Sequence, residues 1–243
     1  IEAEDVAEEG GLALSELRSR NDRGYAISIM QKGVAALTKQ LYNDKKIHAV
    51  LGLGGSGGTI LATAGMRELP VGVPKLMVST LASGDTAPYV DIKDITMMYS
   101  VVDIAGINHL SRQILANAAG MICGALEQPI PTGQDKTLIA ATMFGVTTPC
   151  VTKVRERLEP HGYEVLTFHA TGTGGRAMEG LIADGYVKAV ADITTTELAD
   201  ELVGGVLSAG ANRLEIAGQL GIPQVVSRAG AELEQPRAEG KVR

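Results

Sequence analysis

The chain has 243 residues, of which 45% are hydrophobic and 21% charged, and its formal net charge is -6. This composition is ordinary for a globular protein, and the length suits two α/β domains of common size. No stretch concentrates Lys and Arg, and aromatic residues make up only 3%, so we expect no nucleic acid ligand. No apolar run is long enough to span a bilayer and no signal segment opens the chain, so we expect no membrane association.

The cysteines indicate the compartment. Only Cys123 and Cys150 are present, without the paired spacing of a zinc site or a redox motif. A reducing, cytoplasmic setting is therefore expected.

The order of apolar and turn-rich segments predicts a first domain over residues 1–130. The first 22 residues are rich in Glu and Ala and indicate a loose helical lead-in outside the core. Apolar spacing then predicts helices over 25–42, 60–67 and 107–126, and apolar runs predict strands over 47–53, 74–79 and 95–99. The turn-rich segment 128–134 marks the domain boundary.

Residues 135–230 predict a second domain in which the alternation restarts. Strands are expected over 137–142, 164–169, 188–193 and 223–226, and helices over 149–158, 176–184, 197–207 and 212–220. Residues 231–243 are charged and aperiodic, which indicates a solvated polar tail. The order of elements predicts an α/β fold of two Rossmann-like parallel-sheet domains with helices on both faces.

Each predicted domain contains a glycine cluster between an apolar strand and a helix. The first cluster is Gly54, Gly55, Ser56, Gly57, Gly58 and Thr59, and the second is Thr171, Gly172, Thr173, Gly174, Gly175 and Arg176. Such turns expose backbone N–H groups at a helix N-terminus, where the binding of a phosphate group is favourable. The Ser and Thr hydroxyls and the guanidinium of Arg176 add further hydrogen-bond donors. The alternative is that the glycines serve only tight turns and close helix packing.

The identity of the phosphate ligand is less constrained. Residues 52–57 match the dinucleotide pattern, but the next strand ends at Ser79 without an acidic residue for a ribose. The second cluster has Asp192 near the end of its following strand, which favours a nicotinamide cofactor. Neither cluster carries the lysine of a Walker motif.

Several polar residues follow predicted strands and are candidates for ligand contacts. Ser83, Gly84 and Asp85 form a polar loop, and Asp85 or Asp103 is a candidate ligand for a magnesium ion that accompanies a nucleotide. His169 is a candidate general base, as is Asp85. Each of these residues could instead cap a helix or a turn.

A third polar segment, 194–197, predicts a helix cap in which Glu197 is the capping acid. The alternative is that its hydroxyls contribute to a phosphate site, because this segment also follows a predicted strand.

Several long runs resemble a known family. They are Gly52–Thr59, Pro74–Thr80, Ser83–Asp85, Asp94–Asp103, Ala141–Cys150, His169–Glu179 and Thr194–Glu201. The chain resembles an uncharacterised family of bacterial, fungal and plant proteins, typified by the N-terminal module of the tomato mosaic virus resistance protein. The resemblance covers about residues 22–226.

The resemblance implies a two-domain, Rossmann-like, ATP-binding module that forms a homodimer and is sometimes fused to a barrel domain. In the plant member, it implies binding to a viral helicase region. Family members open with a strand and a glycine-threonine loop that this sequence lacks before Asp22, and they continue past residue 243, so we expect a fragment or a shortened member.

The leading hypothesis is therefore an ATP-binding module, with magnesium, whose phosphates lie on the glycine loops. One alternative is an enzyme acting on a small phosphorylated or carboxylated metabolite, and another is a regulatory module that binds a protein partner. No reaction can be named from the motifs.

Overall fold

A computed structural model describes residues 1–130, 133 and 135–229. The chain divides into two compact units, Ile1–Pro131 and Thr132–Arg243. Each unit is built on its own parallel sheet with helices on both faces, which confirms the predicted α/β fold. The predicted polar tail, 231–243, lies outside the described residues.

The first unit alternates helices and strands. In chain order its elements are α1 (Ala3–Glu9), α2 (Leu14–Arg20), α3 (Arg23–Asn43), β1 (Val50–Gly54), α4 (Ser56–Arg67), β2 (Lys75–Ser79), α5 (Ala87–Val90), β3 (Thr96–Tyr99) and α6 (His109–Glu127). The strands form a parallel sheet in the order β1-β2-β3.

Helices cover both faces of this sheet. On one face, Met66 of α4 packs against Met77 of β2. On the other face, Ala118 of α6 packs against Leu76 and Val78 of β2. The alternation of side chains along β2 therefore divides the apolar residues between α4 and α6.

The helical character predicted for the first 22 residues is confirmed, but the prediction that they lie outside the core is wrong. Helices α1 and α2 form a small core with α3, in which Ala7, Leu17 and Ile29 are buried. The approach is close, because a Cβ on Gly33 would overlap the carbonyl oxygen of Val6. Close contact between two backbones needs small residues rather than a regular spacing of large apolar ones. The sequence of this short segment therefore does not indicate that it packs in a core.

The second unit repeats the alternation. Its elements are β4 (Thr137–Met143), α7 (Thr148–Leu158), β5 (Tyr163–His169), α8 (Thr173–Ala183), β6 (Val187–Asp192), α9 (Thr196–Val203), α10 (Glu215–Gln219) and β7 (Gln224–Val226). The strands are parallel, in the order β5-β4-β6-β7. Helices α8 and α10 cover one face of the sheet and α7 covers the other.

Both glycine clusters turn directly into helices. Helix α4 begins at Ser56 and α8 begins at Thr173, each a few residues before the predicted start. Glycine has a low helix propensity, which hides the first turn from sequence patterns. Helix α9 ends at Val203, before the predicted 207, because Gly204 adopts a left-handed conformation with φ 72°.

Across the described ranges, none of the helices combines the length and apolar character needed to cross a membrane.

Candidate functional site

A cavity of about 460 Å³ opens at the carboxyl edge of the first sheet. It is lined by Gly55 and Ser56 after β1, by Thr80 and Leu81 after β2, and by residues 99–103 at the end of β3. In open parallel sheets, ligands bind in the crevice outside the carboxyl ends of the strands. The volume lies within the range of small-molecule sites.

The first turn of α4 borders this cavity and leaves backbone donors available. The first intrahelical bond runs from the N–H of Thr59 to the carbonyl of Gly55 at 2.8 Å. The N–H groups of Ser56, Gly57 and Gly58 precede it and have no acceptor within the described part of the chain. Together with the helix dipole, these three donors can bind an anion.

Thr59 serves the fold behind the loop. Its side chain is fully buried, and its hydroxyl lies 2.7 Å from the carbonyl of Gly55 and 2.6 Å from the hydroxyl of Ser79. These bonds tie α4 to β2. The geometry therefore gives no support to the predicted contact between the Thr59 hydroxyl and a ligand. Ser56, in contrast, is exposed and lines the cavity.

Arg23 is a cation at this loop that sequence analysis missed. A Cβ built on Gly57 would lie 3.6 Å from Nη2 of Arg23, which is the first residue of α3. Arg23 is exposed, and no ion pair or hydrogen bond engages its side chain among residues 1–130, 133 and 135–229. The chain separates Arg23 from Gly57 by 34 positions, so only the packing of α3 on α4 reveals the pair.

The wall of the cavity after β3 has a strained backbone. Val101 has φ 63°, a left-handed conformation that is costly for a β-branched residue. Next to it, Asp103 accepts a hydrogen bond from the N–H of Ile104 at 2.8 Å through Oδ1. In the described structure no protein donor engages its Oδ2, so the carboxylate retains a free oxygen at the cavity.

The loop 83–85 does not line this cavity. Asp85 accepts a hydrogen bond from the N–H of Ala87 at 3.0 Å and so caps the turn that leads into the short helix α5. Ser83, Gly84 and Asp85 are all exposed. The capping alternative therefore accounts for Asp85, and Asp103 is the predicted magnesium ligand that the structure brings to the cavity.

An internal carboxylate binds two amides of the second glycine loop. Oε1 of Glu197 accepts hydrogen bonds from the N–H of Gly172 at 2.7 Å and from that of Gly175 at 3.0 Å. Glu197 is fully buried, and a Cβ on Gly175 would overlap its carboxylate. The anion that this loop binds in the structure is thus a protein side chain. The prediction that Glu197 is the helix-capping acid of α9 is wrong, because its carboxylate binds the glycine loop and Arg213 instead.

Arg213 neutralises the buried carboxylates beside that loop. Its Nε donates to Glu197 at 2.8 Å, and its two Nη atoms donate to Asp192 at 2.7 and 2.8 Å. Burial acts to lower the pKa of Arg213, but the hydrogen bonds and charges of Asp192 and Glu197 raise it above its ordinary value. Asp192 is engaged by Arg213 and also by Thr142, so it does not present a free carboxylate for a ribose.

Glu179 adds a third carboxylate to this network. It accepts hydrogen bonds from the N–H of Leu214 at 2.6 Å and from Arg213 at 3.4 Å. Burial raises the pKa of Glu179.

The remaining predicted residues of the second loop have structural contacts or are exposed. Thr171 donates its hydroxyl to the carbonyl of His169 at 3.3 Å, and a Cβ on Gly174 would overlap that same carbonyl. Thr173 is exposed at the start of α8, and Arg176 is partly buried one turn later.

His169 ends β5 and packs edge-on against Phe144, with ring centroids 5.3 Å apart. His169 and Asp85, the two candidate acid-base residues, belong to different units. Among the described residues no group of three or more His, Cys, Asp or Glu side chains is arranged to hold a metal ion.

A second cavity, of about 550 Å³, lies at the opposite edge of the first sheet. Its polar wall is the buried side chain of Lys75, whose Nζ donates to the carbonyls of Pro70 and Val73 and to Asp94 at 2.8, 2.6 and 2.8 Å. These contacts already use the three donors of the ammonium group. The cavity at the carboxyl edge, which borders free donors, is therefore the better candidate site.

Comparison with known proteins identifies relatives over nearly the whole chain. Residues 1–131 match the N-terminal domain, and residues 136–242 the C-terminal domain, of the uncharacterised protein family UPF0261. A UPF0261 protein of Clostridium tetani is 58% identical and one of Mesorhizobium japonicum 51% identical, each over 228 residues that cover 93% of this chain and 56% of the relative.

A plant relative is the ToMV resistance protein Tm-1(GCR237) of Solanum lycopersicum. It is 47% identical over 213 residues, which cover 84% of this chain and 28% of the plant protein. The chain thus spans about half the length of its bacterial relatives and less of the plant one. The resemblance expected from the sequence runs is confirmed, and the chain belongs to the UPF0261 family.

Proposed function

We propose that the first unit binds a phosphorylated nucleotide, ATP with Mg²⁺, in the cavity at the carboxyl edge of its sheet. The observation that carries the proposal is the group of unengaged N–H donors of Ser56, Gly57 and Gly58 beside that cavity. Backbone donors at a helix N-terminus suit phosphate oxygens in particular, because the helix dipole adds to their charge.

The guanidinium of Arg23 is the cation that complements these donors. It lies beside Gly57 and has no anionic partner in the described part of the chain. Charge-assisted bonds from arginine to phosphate are stronger than bonds between neutral groups. In this proposal Arg23 supplies the positive charge that a lysine supplies in other phosphate loops, from a position beside Gly57 rather than from the cavity wall.

Asp103 fits the requirements of the magnesium ion that accompanies ATP. Magnesium in nucleotide sites is held by one or two carboxylates together with the phosphates and water. Asp103 lines the cavity and has one carboxylate oxygen free of protein donors among the described residues. The ion itself would offset the charge of the phosphates.

Titration calorimetry of Mg·ATP against wild type and Gly55→Val tests the proposal. A Cβ on Gly55 would lie 3.6 Å from Oγ1 of Thr80, an ordinary contact, so the variant should fold while its side chain fills part of the cavity. We expect its affinity to fall at least about tenfold, equivalent to about 1.4 kcal/mol.

Gly120→Val is the matched control, because Gly120 lies on α6 with no atom within 4 Å of an added Cβ. It should bind as wild type does. Equal affinity in Gly55→Val and wild type, or no binding by wild type, would contradict the proposal.

The proposal includes a homodimer and a cytoplasmic location, as the resemblance and the cysteines lead us to expect. Cys123 and Cys150 are free thiols on exposed residues, which is in keeping with a reducing compartment. Light scattering coupled to size-exclusion chromatography would measure the mass of the particle in solution. A monomer at all concentrations would remove the dimer from the proposal.

A further inference from the structure

The cavity of the first unit contains one aromatic side chain, that of Tyr99. Tyr99 ends β3, pairs in register with Ser79 of β2, and is 42% exposed. Its hydroxyl has no hydrogen-bond partner in the part of the chain that the structure describes.

Strand alternation puts Tyr99 on the same face of the sheet as α4. Met97, two residues earlier, packs in the core cluster of Met66 and Met77 on that face. Met98 packs on the opposite face, in the cluster that contains Ala118 of α6. Tyr99 therefore shares a face with the helix whose first turn offers the donors for phosphate.

The ring of Tyr99 and the N–H donors at the start of α4 are two strand spacings apart across the sheet. The phosphate donors follow β1 and Tyr99 ends β3, with β2 between them. Neighbouring strands lie about 4.8 Å apart, so the separation across the sheet is roughly 10 Å. A single phosphate group cannot contact both places, whereas a phosphate ester that carries a planar ring can extend from one to the other.

We propose that Tyr99 is a specificity-determining residue of this cavity and selects phosphate ligands that carry a planar ring, such as a nucleobase. The tyrosine ring provides a flat apolar face on which such a group stacks. Leu81, which lines the same cavity after β2, adds an apolar contact. This inference rests on the proposed function and specifies which part of the ligand is recognised by the end of β3.

The test compares Mg·ATP with magnesium tripolyphosphate, which has the phosphates without the nucleoside. Calorimetry is performed with wild type, Tyr99→Phe and Tyr99→Leu. We expect wild type to bind Mg·ATP at least about tenfold more tightly than tripolyphosphate. Tyr99→Phe should retain this preference, and Tyr99→Leu should lose it while binding tripolyphosphate as wild type does.

The outcomes distinguish a failure of the role of Tyr99 from a failure of the phosphate site itself. If wild type binds tripolyphosphate and Mg·ATP equally well, or if Tyr99→Leu retains the preference, the role of Tyr99 is overturned and the phosphate site remains. If Tyr99→Leu weakens both ligands equally, Tyr99 does not select the ring. If wild type binds neither ligand, both the site and the role of Tyr99 are overturned. Circular dichroism checks that each variant is folded.

Discussion

Arg213 and Glu197 form a fully buried ion pair in the second unit, with Nε 2.8 Å from Oε2. The other oxygen of Glu197 accepts the N–H groups of Gly172 and Gly175, so the pair joins α9, the glycine loop and the turn before α10. The loop has the sequence of an anion-binding turn, and the anion is part of the protein. Removing that anion should therefore affect stability.

Glu197→Gln should destabilise the second unit by about 3 kcal/mol, because it breaks a buried pair and leaves the charge of Arg213 less compensated. Urea denaturation followed by circular dichroism measures the change in the free energy of unfolding. Glu156→Gln, on the exposed face of α7, is the control and should be near neutral. A loss below about 0.5 kcal/mol in Glu197→Gln would contradict the structural role of the pair.

Arg23→Gln should weaken Mg·ATP binding about tenfold, because it removes a charge-assisted bond to phosphate. Calorimetry at low and high salt measures the effect, and the salt dependence of wild type should exceed that of the variant. Arg112→Gln on α6 removes the same charge at another exposed position. Equal weakening in the two variants would attribute the effect to net charge rather than to the position of Arg23.

Val101→Gly should stabilise the first unit by about 1 kcal/mol. The left-handed conformation costs valine about 1–3 kcal/mol, and the greater freedom of glycine in the unfolded chain offsets about 0.5–1 kcal/mol of the gain. Thermal and urea unfolding measure the change. Val146→Gly, at a residue whose φ is not positive, should not gain stability. A destabilised Val101→Gly would contradict strain at this position.

Asp94→Asn should remove an acid-sensitive contribution to stability. Burial acts to raise the pKa of Asp94, but hydrogen bonds from Lys75 and Gly72 lower it below its ordinary value. A carboxyl group with a lowered folded pKa stabilises the protein above its unfolded pKa, and this stability is lost as the pH falls through the folded pKa.

The free energy of unfolding of wild type should therefore exceed that of Asp94→Asn by about 1 kcal/mol near pH 7. The variant leaves the buried ammonium of Lys75 without its carboxylate, but Asp94 is 41% exposed and water screens the pair. The difference should shrink as the pH falls below the ordinary pKa of an aspartate. Urea denaturation at a series of pH values measures it. A difference that does not change with pH would show that the loss is one of packing alone.

Some features of this protein follow from local sequence. The strand at Val50–Gly54, the glycine turn after it and the helix that continues to Arg67 are readable in order, because apolar periodicity and glycine act on neighbouring residues. The division of residues between two α/β halves follows from the same patterns.

Other features depend on side chains that are distant in the chain. The two glycine clusters look alike in sequence, yet Glu197, which is paired with Arg213, accepts the amides of Gly172 and Gly175 in the second. Among the described residues, no protein acceptor engages the amides of Ser56, Gly57 and Gly58 in the first. Arg23 approaches Gly57 only through the packing of α3 on α4. Backbone geometry at such a turn is determined locally, but whether a loop amide finds an acceptor elsewhere in the protein depends on long-range packing, which only the tertiary structure determines.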